Sequence, residues 1–185
     1  MSVILITAST IDNVWEPILN ASNLKASPFN YGAGHVQPNR AMNPGLVYDL
    51  GVHDYLNFLC ALGYNQSTIA LFSKAPYSCP KNFTITDLNY PSITIPNLHG
   101  SMVVTRTLKN VGSPGVYIAQ IQKPIGVSVS VKPNMLKFDS IGQKKKFKLR
   151  LKIKKEKASK DYVFGRLTWS DGVHHVSSPI VVKAV

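Results

Sequence analysis

From Asn89 to the end of the chain, apolar and polar residues alternate with a period of two. Alternation puts successive side chains on opposite faces of an extended chain, so each such run predicts a half-buried β-strand. The predicted strands are Ser92–Ile95, Met102–Asn110, Val116–Gln122, Val127–Lys132, Leu136–Phe138, Lys146–Ile153, Val163–Trp169 and His174–Val182. Turn signals separate them at Ser113-Pro114-Gly115, Pro133-Asn134, Ile141-Gly142 and Ser170-Asp171-Gly172. Short strands at this spacing, with no helical period between them, predict an antiparallel β-sandwich over about 88–185.

Upstream the pattern changes. Tyr55, Phe58, Leu59 and Leu62 recur at i, i+3, i+4 and i+7, which predicts a helix over Val52–Leu62. Asp54 suits its first turn and Gly63 its C-terminal cap. A second short helix is predicted over Ser67–Phe72. Residues 12–28 have no period. Neither does NYGAGHVQPNRAMNPGLVYD (30–49), which Gly32, Gly34, Pro38, Pro44 and Gly45 punctuate, so both are predicted irregular. The apolar run Val3–Ile6 is too short, and wrongly flanked, for a signal peptide or a membrane span. No 18-residue apolar run occurs elsewhere, so no membrane partner is expected.

The 185 residues allow two small domains, or one domain with an appendage, and a 44% apolar share is enough for a core. Charge divides the same way as periodicity. Residues 1–100 carry four Lys/Arg and five Asp/Glu, net −1, whereas residues 101–185 carry seventeen and four, net +13. The densest stretch is KKKFKLRLKIKK, residues 144–155. Its alternation sends Phe147, Leu149, Leu151 and Ile153 to one face and cations to the other. Such a face suits an acidic polysaccharide, or serves only as a solvated strand that resists edge-to-edge aggregation. No aromatic residues interleave with the cations as base-stacking platforms, so nucleic acid is not an expected partner.

Candidate chemistry is sparse. There is no Gly-x-Ser-x-Gly, and no spacing joins His35, Asp49 or Asp54 to a serine. His35 reads as a residue of a tight turn. His174 and His175 are adjacent in a predicted strand and point to opposite faces, so they cannot share a metal. One is expected at the surface and one half-buried; His53 and His99 stand alone. No metal or other cofactor is expected. Cys60 and Cys79 fit neither a zinc pair nor a Cys-x-x-Cys redox motif. They are either two free thiols or a disulfide closing a loop of about 20 residues, which would add roughly 3 kcal/mol. Sequons at Asn20, Asn65 and Asn82 make these three asparagines candidate glycosylation sites.

Several blocks together resemble the plant subtilisin-like serine proteases. They are FNYGAGHVQPNRAMNPGLVYD (29–49), DYLNFLCALGY (54–64), DLNYPSITIP (87–96), VTRTLKNVG (104–112), GVSVSVKPNMLKF (126–138) and YVFGRLTWSDGVHHVSSPIVV (162–182), in the family's order. The resemblance implies a mainly β chain in three parts. Residues 1–50 would be a remnant of the subtilisin α/β catalytic domain, with 28–49 its final strand and turn. Ile4–Thr10 would be the end of the helix that begins at the catalytic serine. Residues 51–87 would be a helical connector carrying Cys60 and Cys79, and 88–185 a fibronectin type III-like domain. It also implies a secreted glycoprotein of the apoplast or cell wall, and favours the Cys60–Cys79 bridge.

The family's Gly-Thr-Ser-Met nucleophile motif is absent from this sequence, as are its aspartate, histidine and oxyanion-hole motifs. No catalytic, cofactor-binding or metal-binding residue carries over, and the chain is expected to be inactive alone. Signal peptide, propeptide and protease-associated insertion are absent too, so the chain reads as a C-terminal fragment, a truncated gene product or a gene model begun at an internal methionine. The expected partner is the family's catalytic domain, with acidic cell-wall polysaccharide as the alternative. Without that domain's sheet, Val3–Ile6 should lose their packing partners. Residues 1–45 are therefore expected to be poorly ordered in isolation, while 88–185 folds alone.

Overall fold

Alternating strands bury their apolar face only against a second layer, and the last hundred residues supply both layers. The computed structural model describes residues 2–73, 75–154, 159 and 161–185. Among them nine strands form two facing sheets: β1 (Leu46–Val47), β2 (Ile93–Leu98), β3 (Ser101–Asn110), β4 (Gly115–Gln122), β5 (Val127–Lys132), β6 (Met135–Phe138), β7 (Lys144–Ile153), β8 (Val163–Ser170) and β9 (His175–Ala184). One sheet runs β1-β3-β7-β5 and the other β2-β9-β8-β4-β6. The predicted strands are all present, displaced by at most a few residues at their ends. The mainly β sandwich expected for this region is the observed fold.

The core lies between the sheets. Val104, Leu108, Phe147, Leu149 and Leu151 face Tyr117, Phe138, Leu167, Trp169 and Ile180, all buried. Trp169 is fully enclosed and meets Phe147 edge-on at 5.1 Å. Asn110, also fully buried, ties the loops at one end. Its Nδ2 donates to the carbonyls of Ser113 and Ser140, and its Oδ1 accepts from Gly112 N–H.

Three features differ from the sequence expectation. The sandwich is not wholly antiparallel, because β2 pairs with β9 in parallel. These strands are far apart in sequence, so no hairpin imposes opposite directions. The expected boundary at residue 50 also moves. β1 pairs antiparallel with β3, and Leu46 and Tyr48 belong to the sandwich core. A two-residue strand carries no periodic signal of its own; only its partner makes it a strand. The Tyr48 hydroxyl hydrogen-bonds Ser178 on β9 at 2.7 Å, and burial pushes its pKa up to about 12 despite that bond, so it stays a neutral phenol.

The third difference is that residues 28–49 are not a final strand and turn. They form two short helices, α2 (Pro28–Tyr31) and α3 (Pro38–Met42), ahead of β1. Both begin on a proline, whose fixed φ and missing N–H suit the first helical position. Helix α2 lies on the outer face of the five-stranded sheet, beside Pro179 and Val181 of β9. Helix α1 (Ser2–Ile6) packs on β9 and buries Ile6 completely, so this residue has found partners. Ile4 remains half-exposed. Phe29 meets Tyr162 and Phe164 edge-on at 5.1 and 5.3 Å. Helices α4 (Val52–Ala61) and α5 (Gln66–Phe72) follow the sequence prediction closely.

Candidate interaction surfaces

The connector 51–87 is assembled by local hydrogen bonds and one covalent link. Gly51 N–H donates to Asp54 Oδ2 at 2.8 Å and starts α4. Asn65 Oδ1 accepts from Thr68 N–H at 2.9 Å and starts α5. Cys60 near the end of α4 is disulfide-bonded to Cys79, with Cα atoms 5.8 Å apart. Tyr77, beside Cys79 in this loop, hydrogen-bonds Asn57 and packs on the His53 ring at 5.5 Å. The loop after α5 is thus fastened onto α4 at two points. A 3-10 turn, Ile85–Asp87, then leads to the sandwich.

Of the three sequon asparagines, Asn65 caps α5, Asn20 lies ahead of α2 and Asn82 ahead of the 3-10 turn. Asn65 and Asn82 are exposed and Asn20 is half-buried. Asn20 Oδ1 accepts from the N–H groups of Ser22 and Leu24, and Asn65 Oδ1 also accepts from Ser67 Oγ. In both residues the carbonyl oxygen is engaged locally, and among the described residues the amide nitrogen has no hydrogen-bond partner.

The cationic strand behaves as its alternation predicts. Lys144, Lys146, Lys148, Arg150 and Lys152 are exposed on β7, while Phe147, Leu149 and Leu151 are buried behind them. Lys155, the last residue of the sequence stretch, lies outside the described residues. Neighbouring strands add to the face, since Lys109 of β3 stands opposite Lys144 and Lys132 of β5 opposite Lys148. Like charges placed opposite each other repel. Asp49 relieves the first pair, lying 2.8 Å from Lys144 Nζ and 3.5 Å from Lys109 Nζ. Its hydrogen bond from Lys144 holds the carboxyl below its usual pKa. Among the described residues no carboxylate relieves the pair of Lys132 and Lys148.

His35 is exposed, and its backbone exchanges hydrogen bonds with Ser9 at 2.7 and 2.9 Å. The preceding Gly34 has φ +124, and a Cβ there would run into the Ser9 carbonyl. His35 therefore sits at a tight backbone crossing, with no acid or nucleophile hydrogen-bonded to its ring among the described residues. Elsewhere in residues 2–45, Val14, Trp15, Leu24, Val36 and Met42 are well exposed, Trp15 by 77% and Met42 by 85%.

His174 and His175 divide as expected, one half-buried and one exposed. The sequence reading missed an acidic partner, Asp171. Its Oδ2 lies 2.8 Å from His174 Nδ1, and its Oδ1 accepts from the backbone N–H groups of Val173 and His174. The Ser170-Asp171-Gly172 turn was the available signal, since an Asp opening a turn bonds backbone two and three residues on. Gly45, at φ +74, packs so closely on this cluster that a Cβ would strike the Tyr117 hydroxyl and the His174 ring. Among the described residues no group of three or more His, Cys, Asp or Glu could hold a metal ion, and no helix is long and apolar enough to cross a membrane.

A family model for the fibronectin type-III domain matches residues 87–182, which is the whole sandwich except β1 and the final residues of β9. The chain belongs to the fibronectin type-III domain family. This fibronectin type-III chain is also 56% identical over 185 residues to the subtilisin-like protease SBT5.3 of Arabidopsis thaliana, covering 98% of this chain and 24% of that protein. It is 51% identical to SBT5.4 of the same plant, covering 98% and 23%. It is 46% identical to the subtilisin-like protease Glyma18g48580 of Glycine max, again covering 98% and 23%. The chain thus spans about a quarter of the length of the curated relatives it matches, and the match runs through the N-terminal segment and connector as well as the sandwich. Among solved structures, a FixG-related protein from Vibrio parahaemolyticus is similar at 12% identity and a TM-score of 0.38, covering 45% of this chain and 78% of that chain.

Proposed function

We propose that the chain is the C-terminal part of a secreted subtilisin-like serine endopeptidase, and that it supports a catalytic domain it does not itself contain. In that reading peptide-bond hydrolysis belongs to the remaining length of the relatives, where a serine nucleophile would act by acyl transfer. The observation that carries it is the pairing of similarity to these proteases along nearly the whole chain with exposed apolar side chains on residues 2–45. Val14, Trp15, Leu24, Val36 and Met42 face outward on a segment anchored to the sandwich by Ile6 and Phe29. Exposed apolar side chains gathered on one region fit a surface that another domain covers. The sandwich would act as the rigid base of that contact.

A fluorophosphonate serine probe tests the assignment of catalysis. The 185-residue chain should not label, whereas a longer protein carrying the Gly-Thr-Ser-Met motif ahead of it should. Specific labelling of the chain alone would overturn the reading. Secretion and glycosylation at Asn20, Asn65 and Asn82 belong to the same proposal. Expression through a plant secretory route should give a glycosidase-sensitive mass shift, which substitution of these asparagines removes.

A second reading concerns the opposite side of the molecule. The face built from Lys109, Lys132, Lys144, Lys146, Lys148, Arg150 and Lys152 would bind acidic cell-wall polysaccharide, and among the described residues Asp49 is the one carboxylate ion-paired to it. Retention on a pectate column should weaken steeply with salt. Elution no later than another protein of equal pI would dispose of it. The two surfaces lie on different sheets, so both readings can hold together.

A further inference from the structure

A positive side chain sits where the sandwich should be apolar. In β3 the core-facing positions are Val104, Arg106 and Leu108, and Arg106 stands directly opposite Phe147 of β7. It is 5% exposed. Its Nε donates to the Tyr90 carbonyl at 3.1 Å, and its Nη1 donates to the carbonyls of Thr86 and Thr105 at 2.7 and 2.9 Å. These bonds hold the turn before β2 against the sheet. They satisfy the guanidinium's geometry but not its charge, because carbonyl groups are dipoles.

Among the described residues Arg106 has no ion pair. The neighbouring Tyr48 is a neutral phenol. Asp87 attracts Arg106 from a distance, but its Oδ2 already accepts from the Thr84 N–H and hydroxyl at 2.8 and 2.7 Å. Nη2 has no hydrogen-bond partner among the described residues. Nor is it sealed in: the enclosed, unpartnered side-chain nitrogens are Trp169 Nε1 and His174 Nε2.

Arg106 lines an open cavity of about 350 Å³ between α4, the 3-10 turn and β2. Tyr55 and Phe58 reach it from α4, Leu88 and Tyr90 from the stretch between the turn and β2, and Thr94 from β2. Apolar and aromatic walls with one convergent charged group are the usual make-up of a small-ligand site, and this volume is at the low end of the range for such sites. A planar guanidinium with a free N–H edge is matched by a carboxylate.

We propose that this cavity binds a small monocarboxylic acid with a compact apolar or aromatic body, its carboxylate on Arg106 and its body against Tyr55, Phe58 and Tyr90. The proposal stands apart from the protease reading and from the basic face. Calorimetric titration of the 185-residue chain with 3-phenylpropionate tests it, run at about 0.3 M salt to screen the surface lysines. The acid should bind at least about tenfold more tightly than 3-phenylpropanamide, which has the same body without the charge. Thr94→Trp narrows the cavity from an exposed strand position and leaves Arg106 intact; it should abolish the binding. Arg106→Lys keeps the charge and loses the planar fork, and should weaken it. If that variant does not fold, Thr94→Trp carries the test alone. Equal affinity for acid and amide would overturn the proposal. So would wild-type affinity in Thr94→Trp, or binding confined to a peptide ending in a free phenylalanine carboxylate.

Discussion

Residues 2–45 and the sandwich are both well supplied with apolar side chains, yet they spend them differently. The sandwich encloses Trp169 completely, while the N-terminal segment leaves Trp15 exposed by 77%. Among its large apolar side chains, the segment fully buries only Ile6. The cause is geometric. A strand repeats every two residues, so an eight- or ten-residue strand presents a whole row to the facing sheet. Helices of four or five residues turn barely once and cannot gather a stripe. The segment adheres at a few points, by Ile6 on β9 and Phe29 on β8, and its remaining apolar surface needs a neighbour. The difference separates a region that supplies its own partner layer from one that depends on another.

The two tryptophans give the sharpest way to break this contrast. Trp169→Ala should cost about 3–5 kcal/mol in urea unfolding, since it empties the centre of the core. Trp15→Ala should stay within about 0.5 kcal/mol. Comparable losses at both positions would mean that Trp15, like Ile6, contributes to the sandwich core. The next effect lies in the connector. Reducing the Cys60–Cys79 bond removes a chain constraint worth about 3 kcal/mol. The outcome expected is faster proteolysis between these cysteines with the sandwich's thermal midpoint unchanged; a fall in that midpoint would show the connector to be part of the sandwich's cooperative unit.

Tyr48→Phe is smaller and tests whether the region just after the segment belongs to the sandwich. It strands the buried Ser178 hydroxyl and should cost about 1–3 kcal/mol. The double variant with Ser178→Ala should recover part of the loss, and strict additivity would refute the pairing. The smallest effect is in acid. Burial would raise the Asp171 pKa, but hydrogen bonds from the His174 side chain and from the backbone of His174 and Val173 outweigh it, lowering the value from 3.8 to about 2. A depressed carboxyl stabilises the fold above its ordinary pKa, and that contribution is lost as pH falls through its folded value. Stability should therefore drop between about pH 4 and pH 2, and Asp171→Asn should flatten this limb of a pH-dependent melting series.

Much of the candidate surface was legible before the fold was known. The cations of 144–154 fall on one face because alternation alone determines sidedness, and the sequons announce themselves. Arg106 was legible in principle, since it shares the phase of Val104 and Leu108. Its carbonyl partners and its cavity were not, because Thr86, Tyr90 and α4 approach it only after folding. The pairing of Asp171 with His174 was hidden by treating His174 as the first residue of a strand; β9 begins one residue later. The proline-led helices α2 and α3 were hidden because proline marks a helix start as well as a break.

The strands, the helix at Val52, the sidedness of the cationic face and the kinship with subtilisin-like proteases were all readable from the order of residues. All of these rest on residue order within a short window. The fold was needed for the parallel pairing of β2 with β9, the recruitment of Leu46–Tyr48 into the sandwich and the solvent-facing state of Val14, Trp15, Leu24, Val36 and Met42. It also decided the placement of a buried arginine beside an aromatic cavity. Each of these depends on which distant surface arrives opposite a residue, and periodicity carries no information about that.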